Sequence, residues 1–210
     1  MPLDLEEQEQ VAELKAWWNQ WGTIVLAAAV AAALGFSGWT YWKSYQARQS
    51  GQASTLYETI ARASQAGDAK ALRDASGSLV ETYPRTHYAS MGALVAARYY
   101  FDHQDLKNAK LQLQWVIDNG ATDDFRDLAR LRLGAVLLDE KAYDEALKAA
   151  EAPHGAAYDA QFAALKGDIL VAKNQPAEAK AAYKLALEKA GDENGPFKQT
   201  VRVRLEALGG

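Results

Sequence analysis

The sequence predicts an all-α protein in which one N-terminal transmembrane helix is followed by a solenoid of helical hairpins. Three observations support this fold class. Alanine and leucine dominate the chain beyond Val30, where β-branched residues are sparse, and this composition favours helix. One long uncharged stretch lies between Lys15 and Lys43. Small residues recur at a fixed offset in the second half of the chain.

The first segment, residues 1–20, is acidic. It contains Asp4 and four glutamates against the single Lys15, so its net charge of -4 equals that of the whole chain. The charges of the remaining residues sum to zero. This distribution excludes a basic surface of the kind that recruits nucleic acid. We interpret the segment as a solvated tail, with docking on a basic partner as the alternative.

Residues 21–43 are predicted to form the transmembrane helix, surrounded by membrane lipid. A helix from Trp21 to Trp39 is roughly 27 Å long, close to the thickness of a hydrocarbon core. Both ends carry the aromatic residues that the membrane interface favours, namely Trp17, Trp18, Trp21, Trp39, Tyr41, Trp42 and Tyr45. The alternative is a buried helix of a soluble domain, but such a helix would not require aromatic residues clustered at both ends. A cleaved signal peptide would have a basic leader and a site of small residues.

The charges that flank this helix leave its orientation undecided. Lys15 lies on one side, and Lys43 and Arg48 lie on the other. The positive-inside rule therefore favours a cytoplasmic C-terminal domain, but by only one positively charged residue. The free amino terminus adds a positive charge on the other side and reduces this difference.

One face of the transmembrane helix carries Ala27, Ala31 and Gly35 at intervals of four residues. Small residues at this spacing allow another helix to approach closely, so we predict a helix-packing face. The partner could be a second copy or a different protein. The alternative is that an alanine-rich helix matches the pattern by coincidence.

Residues 44–210 are predicted to form the repeat domain. Its helices are separated by short breaks that contain glycine, proline or asparagine. The predicted helices span residues 44–66, 69–82, 86–103, 105–118, 122–140, 142–151, 156–174, 176–190 and 194–207. The last helix is expected to cap the open end of the final repeat.

Pairs of small residues predict a repeat within these helices. Three pairs have the same offset, namely Ala97 and Ala109, Gly134 and Ala146, and Gly167 and Ala179. The spacing between successive pairs is close to the roughly 34 residues of the tetratricopeptide repeat. We therefore predict a tetratricopeptide-like α-solenoid, with a helical bundle that carries coincidental small residues as the alternative.

The concave side of such a solenoid is lined by the first helix of each pair, and we predict a partner-binding groove there. Its candidate residues are Leu94, Arg98, Phe101, Leu131, Leu138, Gln161, Asp168 and Val171. Exposed Phe101 and Leu138 beside Arg98 would suit an extended or helical polypeptide segment. The alternative is that several of these residues pack the repeats together.

No catalytic, cofactor-binding or metal-binding constellation is predicted. The chain has no cysteine, which excludes disulfides and thiolate chemistry. His87, His103 and His154 lie at helix ends or breaks, and none has the spacing of a zinc motif. The Asp102-His103 pair is interpreted as a solvated helix end. We therefore expect a protein that is not an enzyme and needs no cofactor.

The order of these features resembles the YfgM-like family of ancillary SecYEG translocon subunits, which are tetratricopeptide-like proteins of the bacterial inner membrane. The resemblance begins with EEQEQVAELKAWWNQWG before the transmembrane helix and GWTYWKSYQ after it. It continues with YASMGALVAARYYFDHQDLKNAKLQLQWVIDNG, DLARLRLGAVLLDEKAYDEAL and LKGDILVAKNQPAEAKAAYKLAL. It therefore extends over nearly the whole chain.

The resemblance implies a single-pass inner-membrane protein with a cytoplasmic N-terminus and a periplasmic C-terminal domain. It also implies association with the SecYEG translocon and with a PpiD-like periplasmic chaperone. The expected function is a membrane-anchored adaptor or chaperone-like protein that helps secreted or membrane polypeptides pass to periplasmic folding factors. Unfolded client polypeptides are further expected partners. The alternative is a cytoplasm-facing repeat scaffold that assembles another membrane or signalling complex.

Overall fold

The helices of the computed structural model begin and end close to the predicted breaks. The structure describes residues 5–191 and 195–209, with side chains from residue 10 onward. Its helices are α1 (Leu5–Ala66), α2 (Ala69–Thr82), α3 (His87–Asp102), α4 (Leu106–Asn119), α5 (Asp123–Asp139), α6 (Tyr143–Ala150), α7 (Asp159–Ala172), α8 (Pro176–Lys189) and α9 (Pro196–Ala207), with one 3₁₀ turn at Ala156–Tyr158. These described ranges contain no β-strand, which confirms the all-α prediction.

Helix α1 is longer than any predicted helix, because it runs without a break from the acidic segment through the apolar stretch to Ala66. None of its four glycines ends it, since an isolated glycine costs a helix only about 1 kcal/mol. The acidic segment starts outside the described residues, which include neither residues 1–4 nor the side chains of Glu6, Glu7 and Glu9. The chain divides into two compact units, Met1–Arg48 and Gln49–Gly210.

The first unit contains a helix that is long and apolar enough to cross a membrane. Its apolar window has a mean hydropathy of 1.7, and only 6% of that window is buried. A core helix of a soluble protein would be mostly buried. The hydroxyl of Thr40 donates to the carbonyl of Phe36 at 3.0 Å and to that of Ser37 at 2.9 Å. The helix thus satisfies this hydroxyl with its own backbone.

In the second unit, the same type of turn joins the two helices of each hairpin. Gln104, Lys141 and Asn174 each adopt a left-handed conformation with φ between 61° and 63°, and Gly67 adopts φ 73°. The next residue in each turn donates its N–H to a carbonyl five residues earlier, at 2.8 to 2.9 Å. This is the Schellman pattern of helix ends. Gln104, Lys141 and Asn174 each occupy the same position in their predicted unit, so the turn recurs with the predicted repeat.

The glycines of the repeat frame lie where neighbouring helices approach closely, α7 in the case of Gly134 and α8 in the case of Gly167. A methyl group added to Gly134 would stand 2.7 Å from Leu165 Cδ2, and one added to Gly167 would stand 2.6 Å from Tyr183 Cδ1. The second small residue of each pair is fully buried, at Ala109, Ala146 and Ala179. The backbone spacing therefore depends on these positions lacking larger side chains, and the tetratricopeptide-like solenoid is confirmed.

Helix α9 closes the end of the solenoid, as predicted for a capping helix. The predicted start at residue 194 lies outside the described residues, and the helix begins at Pro196, whose missing N–H suits a first turn. Val201 is 1% exposed and belongs to a core cluster with Tyr183 and Ala186 of α8. The last hairpin therefore does not end on an open apolar face.

Candidate functional site

The first helices of neighbouring hairpins form a groove at the centre of the second unit. One cavity of about 300 Å³ is lined by Tyr57, Met91, Leu94, Val95, Arg98 and Arg132. A second cavity of about 140 Å³ is lined by Ala97, Phe101, Leu113, Ala135, Val136 and the same two arginines. We call these two cavities, which share both arginines in their linings, the inner groove. Its walls come from α1, α3 and α5, with Leu113 of α4 below them.

Three of the predicted groove residues lie together in the inner groove. Leu94 is 5% exposed and forms part of the floor. Phe101 is half-buried beside it, and Arg98 is exposed and pairs with Asp102 one turn later at 2.8 Å. Their role in binding a partner stays a prediction.

The other five predicted residues lie elsewhere. Leu131 and Leu138 are half-buried and pack against a core cluster that contains Ala146 and Leu165, so they join α5 to α6 and α7. The remaining three, Gln161, Asp168 and Val171, are on α7 and line neither cavity of the inner groove. Leu131 and Leu138 therefore fit the alternative interpretation, in which several of the candidate residues pack the repeats together.

Asp168 connects three helices at the C-terminal end of the solenoid. It accepts a hydrogen bond from Tyr183 Oη at 2.7 Å and one from Arg204 Nη1 at 2.6 Å. Partial burial raises the pKa of Asp168, and the two hydrogen bonds and the charge of Arg204 oppose that rise. Burial also raises the pKa of Tyr183, as does its bond to Asp168. These contacts indicate that Asp168 positions the capping helix.

Arg132 is a groove residue that the sequence analysis missed. Its side chain is accessible to solvent, and its Nη1 lies 3.5 Å from the carbonyl oxygen of Leu94. Partial burial lowers the pKa of Arg132, and the nearby charge of Arg98 lowers it further. The repeat frame does not mark Arg132, because the position equivalent to Arg98 in the next unit is Ala135.

The three histidines make ring contacts within the fold. His103 stacks on Tyr99 and His154 stacks on Phe162, each with ring centroids 4.0 Å apart. His87 lies edge-on to Phe125 at 6.0 Å. The described part of the chain contains no group of three or more histidine, cysteine or acidic residues placed to hold a metal ion.

The predicted helix-packing face lies on the first unit. Ala27, Ala31 and Gly35 are all exposed, and a methyl group placed on Gly35 would meet no described atom within 4 Å beyond the local helix backbone. At the C-terminal end of the apolar stretch the Lys43 ammonium lies 4.9 Å from the centre of the Trp39 ring, a cation–π contact.

Comparison with known proteins connects both units to one family. The profile described as a tetratricopeptide repeat-like domain matches residues 15–210. A relative from Neisseria gonorrhoeae is 32% identical over 209 residues, which covers 99% of this chain and 100% of the relative. A relative from Haemophilus influenzae is 30% identical over 186 residues, covering 89% and 91%.

A third relative, from Escherichia coli K12, is 25% identical over 182 residues, covering 87% of each chain. All three relatives bear the name ancillary SecYEG translocon subunit. The chain thus belongs to the tetratricopeptide repeat-like family of ancillary SecYEG translocon subunits.

Proposed function

We propose that this chain is a single-pass protein of the bacterial inner membrane that associates with the Sec translocon and carries its repeat domain on the periplasmic side. The observation that carries the proposal is that translocon-named relatives align over 87 to 99% of the chain, and the two alignments over 99% include both the apolar helix and the repeats. The exposed apolar helix supports membrane anchoring. The helical hairpins support a role in binding other polypeptides, not catalysis.

The proposed role is that of an adaptor or chaperone-like module. Its partners are the translocon, a PpiD-like periplasmic chaperone and polypeptides that leave the translocon. A membrane anchor confines the repeat domain to the membrane surface and raises its effective concentration there, so weak contacts in the inner groove suffice. This mechanism needs no cofactor.

Topology is the experiment that tests this proposal. The chain has no cysteine, so single cysteines placed at exposed Ser78 and Ala181 report on the repeat domain. We expect a membrane-impermeant maleimide to label both sites in intact spheroplasts. A cysteine at exposed Glu13, on the other side of the apolar stretch, is the reciprocal control and should label only after lysis.

The opposite labelling pattern would contradict the proposal. Labelling of Glu13→Cys in intact cells, with Ser78→Cys and Ala181→Cys protected until lysis, would place the repeat domain in the cytoplasm. That result would favour the cytoplasm-facing scaffold, which the positive charges of Lys43 and Arg48 support.

Membrane-embedded packing on the small-residue face is a second part of this proposal. We expect the double variant Ala31→Leu, Gly35→Leu to reduce co-purification of translocon subunits from detergent about fivefold, because leucine keeps a partner helix at a distance. The matched control is Ala29→Leu, Ala33→Leu, which adds the same side chains to the opposite face of the helix. Equal co-purification by both double variants would exclude this face from the contact.

A further inference from the structure

The inner groove has a positive charge that no carboxylate of the described residues pairs with. Arg98 of α3 is paired with Asp102 on its own helix. Arg132 of α5 makes no ion pair with any carboxylate of residues 10–191 and 195–209. Its guanidinium donates to the Leu94 carbonyl oxygen at 3.5 Å, a long and weak hydrogen bond. The guanidinium therefore keeps donors available for a ligand.

The two arginines lie close enough to oppose each other. Arg98 lowers the pKa of Arg132, in addition to the larger effect of partial burial. Holding two like charges at one groove is unfavourable in the free protein. An anion bound between them would relieve this repulsion, and a carboxylate matches the planar donor fork of an arginine.

The floor of the groove is apolar. Leu94 is buried, and Tyr57, Met91 and Val95 are half-buried around the same cavity of about 300 Å³. Its volume falls at the lower end of the range for ligand sites. Methionine beside branched and aromatic side chains makes such a floor adaptable to different apolar groups.

We propose that the inner groove binds a polypeptide segment in which an aspartate or glutamate lies next to a bulky apolar residue. The carboxylate lies between Arg98 and Arg132, and the apolar side chain enters the cavity over Leu94. The inference deepens the proposed function and rests on it in one respect, that the bound segment belongs to another protein at the membrane surface. Charge complementarity selects acidic-apolar segments over basic ones.

Peptide binding to the full chain in neutral lipid nanodiscs tests this assignment. The probe is a short fluorescent peptide with adjacent glutamates and leucines, and fluorescence anisotropy reports its affinity. Glutamine in place of glutamate should weaken binding about tenfold, because a charge-assisted hydrogen bond is lost. Serine in place of leucine should weaken it by a similar factor, since the cavity is then not filled.

Variants of the protein locate the binding to the groove. Arg132→Gln should weaken the glutamate peptide about tenfold and leave the glutamine peptide nearly unchanged. Arg132→Lys should be intermediate, because lysine retains the charge but not the fork. Arg85→Gln, which removes an exposed arginine from the α2–α3 connection, is the matched control and should bind like the unaltered chain. Far-UV circular dichroism of each variant establishes that it is folded.

Three outcomes would overturn the assignment: equal affinity for the glutamate and glutamine peptides, equal losses in Arg132→Gln and Arg85→Gln, or self-association that Arg132→Gln abolishes. The last would mean that a second copy fills the groove. Failure here is distinct from failure of the proposed function. Periplasmic labelling and translocon co-purification without peptide binding would refute the groove assignment alone. Peptide binding with cytoplasmic labelling would refute the proposed location alone.

Discussion

Gly167→Ala should destabilise the repeat domain by about 2 kcal/mol, because the new methyl group would overlap the ring of Tyr183. That ring is 2% exposed, and its hydroxyl donates to Asp168 at 2.7 Å. It cannot move aside without losing this bond and disturbing the contact of α7 with α8. The loss should exceed the roughly 0.5 to 1 kcal/mol that alanine gains over glycine in a helix.

Thermal unfolding of the full chain in detergent, followed by circular dichroism, measures this effect. Gly77→Ala is the matched control, since Gly77 is exposed within α2 and a methyl group there would meet no described atom within 4 Å beyond the local helix backbone. It should raise stability by about 0.5 to 1 kcal/mol, so the two changes have opposite signs. In the background Tyr183→Ala, Gly167→Ala should lose most of its cost. A Gly167→Ala variant as stable as Gly77→Ala would refute the close approach.

Local helix-end signals allowed most of the solenoid to be predicted. Gly67-Asp68, Asn119-Gly120 and Pro176 marked helix ends that the structure places within one or two residues. The frame of small residues also predicted close packing of paired helices at Gly167, and the structure places the ring of Tyr183 there. The continuous helix α1 was not predicted, because aromatic girdles indicate where a helix meets the membrane interface and do not indicate where it ends.

The groove was harder to predict than the fold, because the side of a helix on which a residue lies changes with each step along the sequence. One residue corresponds to about 100° of rotation, so Leu131 packs into the core while the adjacent Arg132 faces the groove. Contacts between residues far apart in the sequence could not be predicted from it either. Asp168 meets Arg204 from 36 residues away, and no local pattern indicates that pairing.

The contacts of Asp127 could not be predicted from local sequence either. Replacing this residue should give the second large loss of stability. Aspartate is rarely buried unless it is paired, yet its side chain is 4% exposed. Oδ1 accepts a hydrogen bond from Arg130 at 2.7 Å, and Oδ2 accepts one from the backbone N–H of Gly155 at 2.8 Å. The second bond attaches the connection between α6 and α7 to helix α5. The carboxylate therefore connects adjacent repeats where Pro153 shortens α6.

Asp127→Ala should cost about 3 kcal/mol, because it leaves the N–H of Gly155 and the guanidinium of Arg130 without their partner. Asp123→Ala is the matched control. Asp123 forms the same ion pair with Arg126, three residues later and at 2.7 Å, but its side chain is 88% exposed. Its loss should change stability by less than about 0.5 kcal/mol. Thermal unfolding of both variants compares a buried and an exposed version of one local motif.

Asp127→Asn separates the loop contact from the charge. An asparagine oxygen can still accept from Gly155, so amide hydrogen exchange at Gly155 should stay slow in Asp127→Asn and become fast in Asp127→Ala. The ion pair with Arg130 is lost in both variants. If Asp127→Ala were no more destabilising than Asp123→Ala, the carboxylate would not hold the repeats together. The shape of the solenoid would then depend on apolar packing alone, through the contacts of Leu131 and Leu138 with α6 and α7.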